Sequence, residues 1–212
     1  MCGRLNLHDS LIVQLIMDKI GLPLFPNRPP RFNITPMSNL NVVFNQDDVL
    51  EMQWSIEFGK FRHPNTKVDT LKRRKDLQRL LMDNRCLVPV NRFYEWPDPK
   101  VRPKYQGIKT RFCIHTPDDV LFLGGFYKVN QNGVMQFNIL TTEPTSAIND
   151  FHHRSPVIVG KEDTKTWLNS DNQMELYEMM EPYDQELVIY ECNSYVDNGR
   201  HDGPKCMEPI HA

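Results

Sequence analysis

Apolar residues first recur at helical spacing at Leu11, Leu15, Ile16 and Ile20, which predicts an amphipathic helix. Asp9 or Ser10 stands where such a helix needs a cap, and Gly21-Leu22-Pro23 ends it. A Pro-rich connector, Leu24 to Pro36, follows. The period then shortens: Leu40 to Phe44 and Val49 to Ile56 read as strands joined by the polar turn Asn45-Gln46-Asp47-Asp48. Phe58 to Val68 reads as an irregular basic loop, and Thr70 can cap a second helix running to about Asp83. Cys86 to Val90, Arg92 to Trp96, Arg111 to His115, Val120 to Val129 and Val134 to Thr142 read as strands. The last two are joined by Asn130-Gln131-Asn132-Gly133, a strong turn signal. Pro156 to Val159 and Leu187 to Glu191 close the set of strands, with helices at Lys161 to Leu168 and Asn172 to Met180.

This alternation describes one strand-rich α+β domain, and 212 residues suffice for a single sizeable core. The domain is expected over residues 1–196, with a polar, Gly- and Pro-bearing mobile tail over 197–212. No apolar run approaches the ~20 residues that span a bilayer, and the N-terminus lacks the apolar segment of a secretory signal. A cytoplasmic protein without a membrane partner is expected. The formal net charge of −2 means that any nucleic-acid binding must come from a local basic face.

The five cysteines are odd in number and widely spaced, with no Cys-x-x-Cys pair, so neither a disulfide framework nor a zinc site is expected. Cys86, Cys113 and Cys192 lie in apolar stretches and read as core. Cys2 differs. Removal of Met1 would leave a free α-amine, with a usual pKa of about 7.7–8.0, beside a thiol near ~8.5. Such a 1,2-aminothiol condenses with an aldehyde to an imine, and the thiolate then closes a five-membered thiazolidine. Both nucleophiles belong to one residue, so closure is intramolecular. The open-chain form of an abasic site is an aldehyde of this kind.

Several stretches, in order along the chain, resemble the SRAP family of SOS response-associated peptidases or abasic-site processing proteins. They are Met1-Cys2-Gly3-Arg4, Arg31-Phe32-Asn33-Ile34-Thr35-Pro36, Asn65-Thr66-Lys67-Val68-Asp69-Thr70, Arg92-Phe93-Tyr94-Glu95-Trp96, Asn138-Ile139-Leu140-Thr141-Thr142 and Asp150-Phe151-His152-His153-Arg154-Ser155-Pro156-Val157. The resemblance implies a barrel-like β core flanked by helices. It also implies a covalent Cys2 with Asn65, Glu95 and His152 completing the site, and it requires no metal or organic cofactor. Glu95 suits general acid–base work and His152 titrates near neutrality. Asn65 offers uncharged hydrogen bonds. Two departures stand out: Lys67 and Asp69 replace an Arg and a Glu, and Trp54-Ser55 replaces a Trp-Gly pair.

By the same resemblance Arg4, Lys67 and Arg154 are DNA contacts, and Asn33 lies in a matching segment. Lys75 belongs to a basic cluster with Lys60, Arg62, Lys72, Arg73 and Arg74. Phe32 and Trp54 are candidates for stacking on unpaired bases, with Phe58 a second candidate wedge. The expected partner is single-stranded DNA carrying abasic sites, bound by a monomer that would join the nucleoid on damaged DNA. The alternatives are an N-terminal-nucleophile cysteine amidohydrolase, which also opens Met-Cys-Gly, and a thiol peptidase limited to removing its own Met1.

Overall fold

The computed structural model describes residues 2–44 and 48–210. The turn expected at Asn45 to Asp48 lies largely outside them. In chain order the elements are β1 (Arg4–Leu7), α1 (Ser10–Ile20), β2 (Arg31–Ile34), β3 (Asn39–Val43), β4 (Val49–Trp54), β5 (Ile56–Phe58), β6 (Phe61–His63) and β7 (Asn65–Lys67). They continue with α2 (Val68–Arg73), α3 (Lys75–Asp83), β8 (Arg85–Val90), β9 (Arg92–Glu95), β10 (Phe112–His115), β11 (Leu121–Val129) and β12 (Met135–Thr142). The last are α4 (Ser146–Asn149), β13 (Ser155–Pro156), α5 (Thr164–Asn169), α6 (Gln173–Glu178) and β14 (Val188–Glu191).

Strands β11, β8, β3, β4 and β12 pair in that order, and β12 pairs back onto β11, so five strands close into a barrel. The chain is thus an α+β domain, as the pattern implied, around a barrel core, as the resemblance implied. Closure requires close backbone approach: a Cβ at Gly125 on β11 would run into the Asn138 carbonyl oxygen on β12. Arg85, buried, donates to the carbonyls of Met82, Trp167 and Ser170 and so ties the ends of α3 and α5 to the barrel. A second, five-stranded sheet, ordered β14-β10-β9-β1-β2, lies beside it.

The local signals explain α1 well. Asp9 accepts from the amides of Leu11 and Ile12, and Gly21 takes φ 69° at the C-terminus. Elsewhere the structure differs. Phe58 to Val68, read as a loop, holds part of the β5–β6 hairpin and all of β7. All three β6 residues are exposed, so no alternation marks the strand in sequence. The single helix from Thr70 is two, broken at Arg74, whose backbone is extended.

The polar segment after residue 196 is not left loose. Cys206 is buried, the Asn33 amide donates to the carbonyls of Val196, Asn198 and His201, and Asp202 accepts from the Phe32 amide. Side chains bonded to backbone hold this segment, a form of attachment that polar composition hides.

Trp54 is fully buried, stacked on Phe137, and its indole N–H donates to the Pro64 carbonyl at 3.0 Å. It belongs to the core and cannot stack on a base, which corrects the expectation drawn from its aromaticity. Ser55 after it sits at φ 123°, a region that favours glycine. Ser55→Gly is therefore expected to gain about 1 kcal/mol, the relieved strain exceeding the added chain entropy. A thermal melt should rise by about 2–4 °C; a fall would mean that the serine geometry is unstrained.

Candidate active site

Cys2 lies two residues before β1, the strand held between β2 and β9. The β1–β9 register, Arg4 opposite Tyr94, brings the chain start to the end of β9, where Glu95 is the last residue. Asn65 arrives from the barrel, because β7 pairs in parallel with β12, Asn65 opposite Ile139. Its Nδ2 donates to the Cys2 carbonyl at 2.8 Å. Its Oδ1 is buried and has no hydrogen-bond partner among the described residues. His152 follows α4, its amide bonded to the Ile148 carbonyl, and its Nε2 lies 3.6 Å from Glu95 Oε1. The four residues implied by the resemblance thus come from four separated segments to one place at the junction of barrel and sheet.

The site is dry. Cys2, Glu95 and His152 are each under 5% exposed. Burial is the main cause that pushes the Glu95 carboxyl up to about 7 from the ordinary carboxylate range, so acid and carboxylate coexist near neutral pH. Burial also lowers His152 to about 4, leaving a neutral imidazole at neutral pH. The Cys2 thiol is pushed well above its usual value, first by burial and next by the nearby Glu95 carboxylate.

The His152 ring is held through Nδ1, 2.9 Å from the Arg154 carbonyl and 3.1 Å from the Arg154 amide. If Nδ1 carries the proton it donates to the carbonyl, and Nε2 faces a protonated Glu95 as an acceptor. If Nε2 carries the proton it faces the Glu95 carboxylate, and Nδ1 accepts from the amide. At 3.6 Å the Nε2–Oε1 contact is longer than a hydrogen bond, so a proton passes between Glu95 and His152 only after a small approach of the two side chains.

The predicted DNA contacts divide. Arg154 is buried: Nη1 bonds Asp69 at 3.1 Å and Glu143 at 3.3 Å, and Nη2 donates to the Thr141 carbonyl. Both terminal nitrogens are engaged within the protein, while Nε is buried without a hydrogen-bond partner among the described residues, so the side chain braces the segment that holds His152 rather than standing open to solvent. Asn33 is likewise buried, its Oδ1 accepting from Arg4 and its Nδ2 donating to three carbonyls. These two expectations are corrected: both side chains are polar because they satisfy internal backbone.

Arg4 is part-exposed, with its guanidinium carbon 5.8 Å from the centre of the Trp96 ring. Phe32 is part-exposed and stacks on His8 at 5.9 Å. Lys67 and Lys75 are exposed. Beside Asn65 opens a groove of about 290 Å³, with Lys67 and Arg74 on its rim and Phe58 and Leu77 on its apolar wall. Sequence reasoning missed Phe61, which is 72% exposed on the β5–β6 hairpin; a visible hairpin would have flagged its tip. Another cavity, about 530 Å³, holds none of these residues and is lined by Glu162, Asp163, Glu175, Glu178, Glu181 and Asp184, which would repel a phosphate chain.

Lys67→Ala is expected to weaken single-strand binding at every sequence tested and to reduce the slope of log affinity against log salt by about 0.7. Fluorescence anisotropy across a salt series measures it. An unchanged slope would remove Lys67 from the phosphate path.

Comparison with known proteins places the chain among its relatives. The chain is 28% identical to the abasic site processing protein YoqW of Bacillus subtilis over 98% of this chain and 99% of that protein. It is 22% identical to the abasic site processing protein HMCES of Pongo abelii over 99% of this chain and 76% of that one. A crystal structure of a protein from Bacteroides thetaiotaomicron superposes with a TM-score of 0.80 at 18% identity, covering 99% of this chain and 100% of that one. The model of the family described as SOS response associated peptidase (SRAP) matches residues 1–199, and the chain belongs to that family.

Proposed function

We propose that this protein processes abasic sites in single-stranded DNA by closing a thiazolidine on the abasic C1′ with the amine and thiol of Cys2. One observation carries the reading above all: Cys2 is held by Asn65 in a buried site beside a carboxyl and an imidazole that lie 3.6 Å apart. The relatives named for abasic-site processing support the target.

The chemistry follows from the order of nucleophiles. The buried thiol is a poor nucleophile at neutral pH, so the α-amine freed by loss of Met1 acts first. As the ring opens to the aldehyde, Glu95 in its acid form protonates the sugar ring oxygen and then takes the proton of the C1′ hydroxyl, which restores the acid. The amine adds to C1′, and the resulting hydroxyl leaves as water with a proton from the same acid. The imine now places positive character beside the sulfur, which favours the thiolate. The sulfur adds to C1′ and its proton passes to the Glu95 carboxylate, restoring the acid, while the protonated imine nitrogen becomes the neutral ring amine. One water is lost overall. The buried Asn65 Oδ1 suits an acceptor for the freed α-amine, and neutral His152 exchanges the proton with Glu95.

The groove beside Asn65 accepts a single strand, with Lys67 and Arg74 along phosphates and Phe58 or Phe61 against bases. Mixing the protein with single-stranded and duplex oligonucleotides that carry one abasic site tests the reading. A heat-stable band on a denaturing gel, stronger for the single strand, is expected. No band with either would overturn it. Ammonia release from glutamine in place of a band would favour the amidohydrolase.

A further inference from the structure

The Glu95–His152 pair has a neighbouring cluster that the proposed chemistry does not use. Asp98, on the segment after β9, and His153 bring their ligand atoms and one of His152 to within 4.8 Å of one another. The Asp98 amide bonds the Phe151 carbonyl at 3.2 Å, which locks the two segments together. His153 Nδ1 lies 3.4 Å from Asp98 Oδ2, yet it is buried and makes no hydrogen bond among the described residues. For two ligands each at about 2.0–2.1 Å from one ion, a separation near ~3.4 Å is the edge of a tetrahedron. The two histidine rings lie side by side, centres 4.7 Å apart and 32° from coplanar, so both can turn a nitrogen to the same point. His152 Nδ1 already faces the Arg154 carbonyl, the kind of outer contact that orients a ligating imidazole, and Nε2, 3.6 Å from Glu95, is the nitrogen an ion would draw away from that carboxyl.

We propose that Asp98, His152 and His153 form a binding site for a divalent transition ion of the zinc class, and that the bound ion restrains the neighbouring chemistry by taking His152 from Glu95. Two imidazoles and one carboxylate favour such an ion over magnesium or calcium, which need more oxygen ligands. The sequence gives no metal signal because the ligands come from residue 98 and residues 152–153, not from a short spaced motif. The binding claim is independent of the crosslinking reading; only the restraint rests on it.

The test starts with untagged, chelator-treated protein carrying Cys2→Ala, which removes the aminothiol as a competing zinc ligand. Calorimetric titration with Zn²⁺ should show one ion per chain. Adding Asp98→Asn or His153→Ala, both at part-exposed positions, should each weaken binding by about tenfold or more. Circular dichroism melts of the same samples report whether either variant fails to fold. Absence of a stoichiometric ion, or equal affinity in both folded variants, overturns the site. In protein with Cys2 intact, the Zn²⁺ concentration that halves the crosslinking rate should rise several-fold with His153→Ala. Equal inhibition would place the effect on Cys2 and overturn the restraint. No crosslinking without zinc would instead defeat the proposed function and leave the titration to decide the site.

Discussion

Cys2→Ala abolishes the heat-stable adduct with abasic single-stranded DNA and leaves a weaker, reversible one. The substitution removes the thiol and keeps the amine, because Met1 is removable before Ala as before Cys. The imine can still form, but nothing closes on it. Borohydride should therefore trap an adduct in the variant, and strand cleavage at the abasic site should increase as the unclosed imine eliminates. The side chain is small and wholly interior, so the fold should tolerate the change with a loss of order 1 kcal/mol. A variant that still gives heat-stable product without borohydride would move the chemistry to another amine, such as a lysine.

Glu95→Gln is expected to slow crosslinking by about 10²–10⁴-fold while stabilising the protein at alkaline pH. Both effects come from one buried carboxyl. With its pKa raised to about 7 in the folded state, the native protein binds more protons than the unfolded chain from about pH 4.5 to 7. The stability linked to Glu95 is thus fully present below that window and is lost as pH rises through 7. His152, lowered to about 4, works oppositely: its contribution is lost as pH falls from the unfolded value toward 4. The two oppose each other in mildly acidic solution, and above pH 7 only the carboxylate penalty remains. A neutral amide removes that penalty. Melts at pH 8.5 should place Glu95→Gln above the parent, with the difference vanishing near pH 5. Activity has its own signature. The parent rate should fall above pH 7 as the acid form disappears and fall in acid as the α-amine protonates; in Glu95→Gln the alkaline fall should be absent. Unchanged rates, or lower stability at pH 8.5, would make Glu95 a structural residue.

Sequence legibility varied with the kind of interaction. Local signals sufficed for α1, with Asp9 and Gly21 at its ends, and for the β11–β12 hairpin, where Gly133 takes φ 76°. The convergence of Cys2, Asn65, Glu95 and His152 was legible through ordered short motifs, since no periodicity would bring residues 2, 65, 95 and 152 together. Surface exposure was not legible. Trp54 looks like a stacking residue but fills the barrel, whereas Phe61, in an apparent loop, is exposed at a hairpin. Asn33 and Arg154 look like contacts because they are polar and stand in matching motifs; both are buried and bonded within the protein. The segment from Asp197 reads as loose because its anchors are side-chain bonds to backbone, with Asp197 itself accepting from Trp96 and Arg111.

The covalent claim is tested most directly by intact-mass measurement after mixing the protein with a single-stranded oligonucleotide bearing one abasic site, followed by peptide mapping of the adduct. The account predicts free protein lacking Met1, and an adduct of that protein plus the oligonucleotide less one water, mapped to residue 2 and stable without borohydride. An adduct on any other residue, or none from protein that has lost Met1, would contradict it.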